Sequence, residues 1–245
     1  MAPSNAEILN ALHEGQITIK GEFLWGSNYT FLVQIEHAGS TLQGVYKPTR
    51  GERPLWDFPA ATLARREVAA YLVSEAIGWQ LVPPTVYRSK APAGAGSVQF
   101  YIEHDPEHHY FTFNDEERQR LRPVALFDLL INNADRKGSH ILIAPDLHLW
   151  LIDHGICFHV EDKLRTVVWD FAGEPFPNDL CADISAFRRK LDPLIGGASS
   201  LAESLMPYLS RGEIAALRRR ADHLLEFGRF PDVHPNRRPY PWPPV

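Results

Sequence analysis

Two stretches decide how this chain is read: INNADRKGSHILI, residues 131–143, and LWLIDHGICF, residues 149–158. The first closes an apolar helical run at Asn132-Asn133 and then sets Asp135 and Arg136 on a loop. The second is a short β-type run that ends at Asp153-His154-Gly155. Between them, Ile141–Ala144 and Leu149–Ile152 alternate as the arms of a hairpin around a turn that contains Pro145 and Asp146. A carboxylate just beyond a strand and just before a glycine points into a cleft. Two such carboxylates, 18 residues apart across a hairpin, are placed to meet at one cation or one hydroxyl.

Phosphoryl transfer asks for that pair. One carboxylate orients the attacking hydroxyl, and the other holds the metal that bridges the phosphates. In the kinase scheme an asparagine follows the loop aspartate by five residues and also binds metal. Here that position is His140. Imidazole is a poor ligand for Mg²⁺ and an acceptable one for Mn²⁺ or Zn²⁺, so metal preference at such a site is open.

Working outward toward the N-terminus, residues 17–23, 30–35 and 41–46 are short β-branched and aromatic runs. Gly26-Ser27-Asn28 and Ala38-Gly39-Ser40 separate them, which predicts an antiparallel meander. A short helix capped by Ser4 or Asn5 precedes it, with Ile8, Leu9 and Leu12 on one face. Lys47 ends the third strand, where its ammonium can reach nucleotide phosphates. Glu67 lies 20 residues on, in a helix expected over 60–77 with Leu63, Val68, Tyr71, Leu72 and Ala76 on one side and Gly78 as its stop. Glu75 is the rival partner for that lysine. The Gly26-Ser27-Asn28 turn offers backbone N–H groups to phosphates. A strand over 98–102 runs into Glu103, where a hinge would hold adenine.

The second half is helical by pattern: 115–131 as one helix, then 184–191, 201–209 and 213–227, the last with Ser210 and Glu213 at capping-box spacing. The expected architecture is α+β and bilobal. A β-rich front lobe spans 1–104, a helical back lobe spans 105–230, and a proline-rich extended tail fills 231–245. The cleft between the lobes is the expected binding site.

These motifs resemble the phosphatidylinositol 3-/4-kinase-like family, and within it an actinobacterial branch. That family sits in the protein-kinase-like superfamily together with the HipA toxin kinases. NADRKGSHILI resembles the family's Asp-Arg-x-x-x-Asn loop, and LIDHGICF its Asp-x-Gly metal motif. The resemblance runs over about residues 17–225. It implies a bilobal kinase fold and ATP-dependent phosphotransfer with Mg or Mn. Asp135 and Arg136 would form the catalytic loop, Asp153 and His140 would hold metal, and Lys47 with Glu67 would hold phosphate. The departures are His140, a phosphate turn with a single glycine, and no Ala-Pro-Glu motif after Gly155. They leave two alternatives: a nucleotide-binding module without transfer, and adenylyl transfer on the same scaffold. The acceptor stays open among lipid, protein and small molecule. Only Lys163 and Arg165 are present to meet a phosphoinositide headgroup.

Composition narrows the rest. The 245 residues are 44% hydrophobic, enough for a sizeable core. A net charge of −5 with no broad basic block argues against nucleic acid as a partner. Two cysteines without a C-x-x-C pair fit a reducing cytoplasm rather than a disulfide framework. No run is long and apolar enough for a membrane span, and the first residues lack a signal-peptide pattern. His104, His108 and His109 read as a solvated linker. Trp56, Trp150 and Trp169 read as core or loop anchors, and Arg218 to Arg220 as a solvated helix face.

Overall fold

A computed structural model describes residues 3–23, 28–192, 200–233 and 238–245. Ser4 caps the first helix, α1 (Asn5–Glu14), through a complete capping box with Glu7. Three strands follow: β1 (Gln16–Glu22), β2 (Phe31–His37) and β3 (Ser40–Pro48). After α2 (Leu63–Ile77) come β4 (Thr85–Arg88) and β5 (Gly96–Phe100). The sheet is antiparallel throughout, in the order β1-β2-β3-β5-β4. β5 therefore lies beside β3, with Lys47 paired to Ser97. Gly96 is required at that crossing, because a Cβ there would stand 2.3 Å from the Lys47 carbonyl oxygen.

The front lobe has its own core. Ile8, Ala11 and Leu12 of α1 pack on Val33, Ile35, Tyr46, Val86 and Val98 of the sheet. α2 does something else. It is buried nearly all round, and Ala69, Ala70, Tyr71, Val73 and Ile77 join the core of the helical lobe. The one-sided apolar face expected for this helix is therefore wrong. Leu72 and Ala76 are only partly buried, because α2 is wedged between the sheet and the second lobe. It starts at Leu63 rather than at residue 60, since Ala61 takes a left-handed φ of 61°. The Glu52 carboxylate meets its first amides, Leu63 and Ala64, at 3.1 and 2.9 Å. Gly78 ends it in the left-handed conformation, as expected.

The single helix expected over 115–131 is two, α3 (Asp115–Gln119) and α4 (Arg122–Ile131). Pro123 lacks an N–H, and its ring clashes with the carbonyl four residues back, that of Gln119, where α3 stops. The hairpin is present as β6 (Ile141–Ile143) and β7 (Leu149–Leu151). α5 (Asn178–Lys190) begins earlier than its periodicity suggested, because its first turns carry few buried apolar residues. α6 (Leu201–Leu205) is short, since Pro207 forbids a longer run. α7 (Arg211–Phe227) has the expected Ser210–Glu213 capping box.

The described parts of the tail, 231–233 and 238–245, have no helix or strand. Residues 238–245 lie against the second lobe, with the Pro239 carbonyl accepting from Thr166 N at 3.0 Å and the Pro244 carbonyl from Gly138 N at 2.8 Å. Among the described residues no helix is long and apolar enough to cross a membrane.

Since Leu12 is fully buried between α1 and the sheet, Leu12→Ala is expected to destabilise the protein by about 2–5 kcal/mol. Urea unfolding followed by circular dichroism measures this.

Candidate active site

Lys47 projects from β3 into the space between the lobes. Its Nζ donates to Glu67 Oε1 at 2.5 Å and to Asp153 Oδ1 at 3.0 Å. Burial works against the ammonium, but Asp153 and Glu67 outweigh it and hold its pKa above the usual lysine value. Asp153 sits just past β7 with a φ of 61°, a left-handed conformation that an aspartate tolerates better than most residues. Its side chain is 50% exposed, yet partial desolvation at the lobe boundary pushes its carboxyl up. The Lys47 ammonium overrides this, and His140 adds to it, so the net pKa lies well below the usual carboxylate range. Glu67 also binds the other side of the loop, accepting from His154 N through Oε2 at 2.9 Å. Gly155 lets this loop approach α2, since a Cβ there would meet Leu63 Cβ at 3.3 Å and Glu67 Oε1 at 3.8 Å. Glu75, the rival for Lys47, bonds Asn5 of α1 instead.

His140 Nε2 lies 3.3 Å from Asp153 Oδ2. Burial lowers its pKa to about 4, so it is a neutral imidazole near pH 7. Asp135, half-buried on the loop after α4, has its pKa raised to about 6 by burial. Lys137 opposes this shift and Asp153 adds to it. Lys137, which the motif does not single out, holds its Nζ 3.9 Å from Asp135 Oδ2. Its position two residues past the aspartate was the available signal.

Arg136 needs correction as a catalytic residue. It is fully buried and does not face the cleft. Its guanidinium bonds Asp128 at 3.1 and 3.2 Å, the carbonyls of His140 and Ile152 at 3.3 and 2.9 Å, and His154 Nε2 at 2.8 Å. The His154 ring is kept neutral by burial first and by Arg136 second, so its Nε2 accepts and its proton sits on Nδ1. Asp128 also accepts from Asn133 Nδ2 at 3.1 Å and from Thr166 Oγ1 at 3.0 Å. Asn133 Oδ1 in turn accepts from Asp135 N at 2.9 Å. This network pins the loop that carries Asp135. Asp128 sits inside an apolar helix, where nothing local marks its role.

Gly26 and Ser27 of the phosphate turn lie outside the described residues. Asn28 accepts from Arg53 N through Oδ1 at 2.6 Å, which ties Asn28 to the loop after β3. Glu103 is exposed on the linker after β5, at the edge of a cavity of about 460 Å³ that His104, Asp105, Glu117 and Leu147 also line. Trp56 is no anchor: it is 91% exposed, with Lys163 Nζ 5.1 Å from its ring. Arg220 does not cover a solvated face either. It donates to the Leu130 carbonyl at 2.8 Å and to the His159 carbonyl at 3.2 Å.

No family model matches the sequence. The chain is 41% identical over 267 residues to Protein Rv2133c of Mycobacterium tuberculosis (strain ATCC 25618 / H37Rv), a match that spans 95% of this chain and 93% of that protein. It belongs to the Rv2133c family. This Rv2133c-family chain is also 28% identical over 144 residues to phosphatidylinositol 4-kinase gamma 4 of Oryza sativa subsp. japonica, across 50% of this chain and 26% of the plant protein. Among solved structures, hydra Fam20 with sugar superposes with a TM-score of 0.54 at 15% identity, over 91% of this chain and 88% of that one. The Golgi casein kinase with Mn/ADP bound gives 0.52 at 16% identity, over 91% and 74%. The Rv2133c-family fold is thus the bilobal, protein-kinase-like one that the sequence motifs led us to expect.

Removing one partner of the buried Arg136–Asp128 pair strands a charge inside the protein. Asp128→Ala is expected to destabilise by about 3–5 kcal/mol, read as a lower midpoint in guanidinium unfolding.

Proposed function

We propose that this chain is an ATP-dependent phosphotransferase whose site is built from Lys47, Glu67, Asp135, Lys137, His140 and Asp153. The observation that carries the reading is the convergence of the β3 lysine on two carboxylates from different lobes, Glu67 and Asp153. In this reading residues 1–104 hold the nucleotide phosphates, 105–230 supply the reacting groups, and 231–245 form a tail.

Lys47, kept cationic by its neighbours, binds phosphate oxygens, while Glu67 fixes its direction. Asp153 Oδ2 and His140 Nε2, 3.3 Å apart, suit two positions on one divalent cation. Among the described residues no group of three or more His, Cys, Asp or Glu side chains is arranged to hold a metal. A Mg- or Mn-type site completed by phosphate oxygens and water fits that two-donor set, and the imidazole favours Mn²⁺. A bound cation would neutralise charge on the β- and γ-phosphates. Asp135 orients the acceptor hydroxyl and takes its proton, and Lys137 meets the transferred phosphoryl group. Glu103 and the linker backbone face the base end of the nucleotide.

The match to a plant phosphatidylinositol 4-kinase supports an inositol lipid as the first acceptor to try, with protein and small-molecule alcohols beside it. Two free thiols, Cys157 and Cys181, suit a cytoplasmic setting. His140 in place of the usual asparagine favours one second reading, a nucleotide-binding module that does not transfer phosphate.

Asp153→Ala is expected to abolish Mn²⁺-dependent ATP consumption. Full turnover in that variant would sink the scheme, while nucleotide binding without consumption in the unsubstituted protein would select the module. The Asp135 pKa gives a second outcome. Its carboxyl accepts a proton only above about pH 6, so turnover falls as pH drops through that value. A cation at Asp153 draws the midpoint lower. The acid limb of the pH–rate profile should therefore move to lower pH as Mn²⁺ is raised.

A further inference from the structure

Arg66 and Glu67 are neighbours on α2, about 100° apart around its axis. Glu67 faces Lys47 and the His154 amide. Arg66 faces the other lobe and is only 1% exposed. Its Nη2 bonds Glu213 of α7, its Nη1 donates to the Cys157 carbonyl at 2.6 Å, and its guanidinium lies 4.8 Å from the Phe58 ring centre. An arginine is seldom buried this fully without a paired charge. Glu213 serves two purposes. Oε2 accepts from Ser210 N and from the Ser210 hydroxyl, each at 2.8 Å, closing the α7 capping box, and Oε1 takes Arg66. Cys157 lies four residues past Asp153, on the same segment.

Arg66 therefore grips both α7 and the segment that carries Asp153, from the residue next to Glu67. Turning α2 about its axis to withdraw Glu67 from Lys47 would tear Arg66 from both partners. We propose that Arg66, clamped by Glu213, is a positioning residue: it fixes the rotation of α2, so that the Lys47–Glu67–Asp153 set stays assembled without nucleotide or any partner protein. Its catalytic consequence rests on the phosphotransferase reading above; its structural content does not.

Glu213→Gln is the test. Glutamine keeps the capping box and the side-chain shape but removes the charge opposite Arg66. The readout is hydrogen exchange of the His154 amide, which donates to Glu67, in the protein alone. The α4 amides serve as the reference for global stability. Exchange at His154 is expected to quicken about tenfold beyond any change in α4, equivalent to about 1.4 kcal/mol. Introducing the same change into a Glu67→Ala background, which lacks the acceptor for the His154 amide, should then add nothing. A His154 rate that moves only as α4 does, or an undiminished effect without Glu67, overturns the proposal. A chain that fails to bind Mn²⁺ and nucleotide would overturn the phosphotransferase reading instead, and would leave the exchange result readable.

Discussion

A lysine ammonium drawn out of water is costly unless opposite charge surrounds it. In this chain Lys47 meets that condition only where the lobes meet. Glu67 arrives from a helix, Asp153 from the end of a hairpin, and neither lies near Lys47 in sequence. The ion triad is therefore a statement about tertiary structure. It holds when the sheet, α2 and the β6–β7 hairpin are each in place, and the electrostatics of the cleft follow from it. Asp153 stays ionised beside an ammonium, and His140 stays neutral in a buried niche next to it.

A second, drier layer of polar contacts supports this one. Arg136, Asp128, Asn133, Thr166 and His154 satisfy one another beneath the loop and leave Asp135 at the surface of the cleft. Such networks act as units, since each member orients the next and a missing partner strands a buried polar group. The loop's Asp-Arg pairing thereby divides labour. The aspartate stays partly exposed, and the arginine faces inward to hold the peptide carbonyls of His140 and Ile152. An arginine suits the inward task because its planar fork serves several acceptors at once and keeps its charge.

α2 joins the two layers. In chain order it belongs to the front lobe, yet much of its apolar surface packs with the helices of the back lobe. The front lobe covers its own sheet with α1 instead. That exchange of partners frees α2 to lie along the boundary, where one side of its first turns meets Lys47 and the next meets α7.

Local chemistry determined a good deal in advance. The antiparallel meander followed from β-branched runs split by turn residues, and the α7 start followed from Ser210 and Glu213. The β6–β7 hairpin followed from two short apolar runs around a turn, because these features depend on residues a few positions apart. Lys47, Glu67, Asp153 and His140 were legible as candidates for the same reason, each marked by its place at an element's end or face. Their meeting was not legible, nor was the burial of Arg136, Asp128 and Arg66, nor the exposure of Trp56. Those depend on which surfaces of distant elements pack together, and a periodicity of apolar residues says only that a face is buried, not against what. Only the folded chain decides where a charge finds its counterpart, because pairing in a low-dielectric interior is settled by distances that sequence separation does not encode.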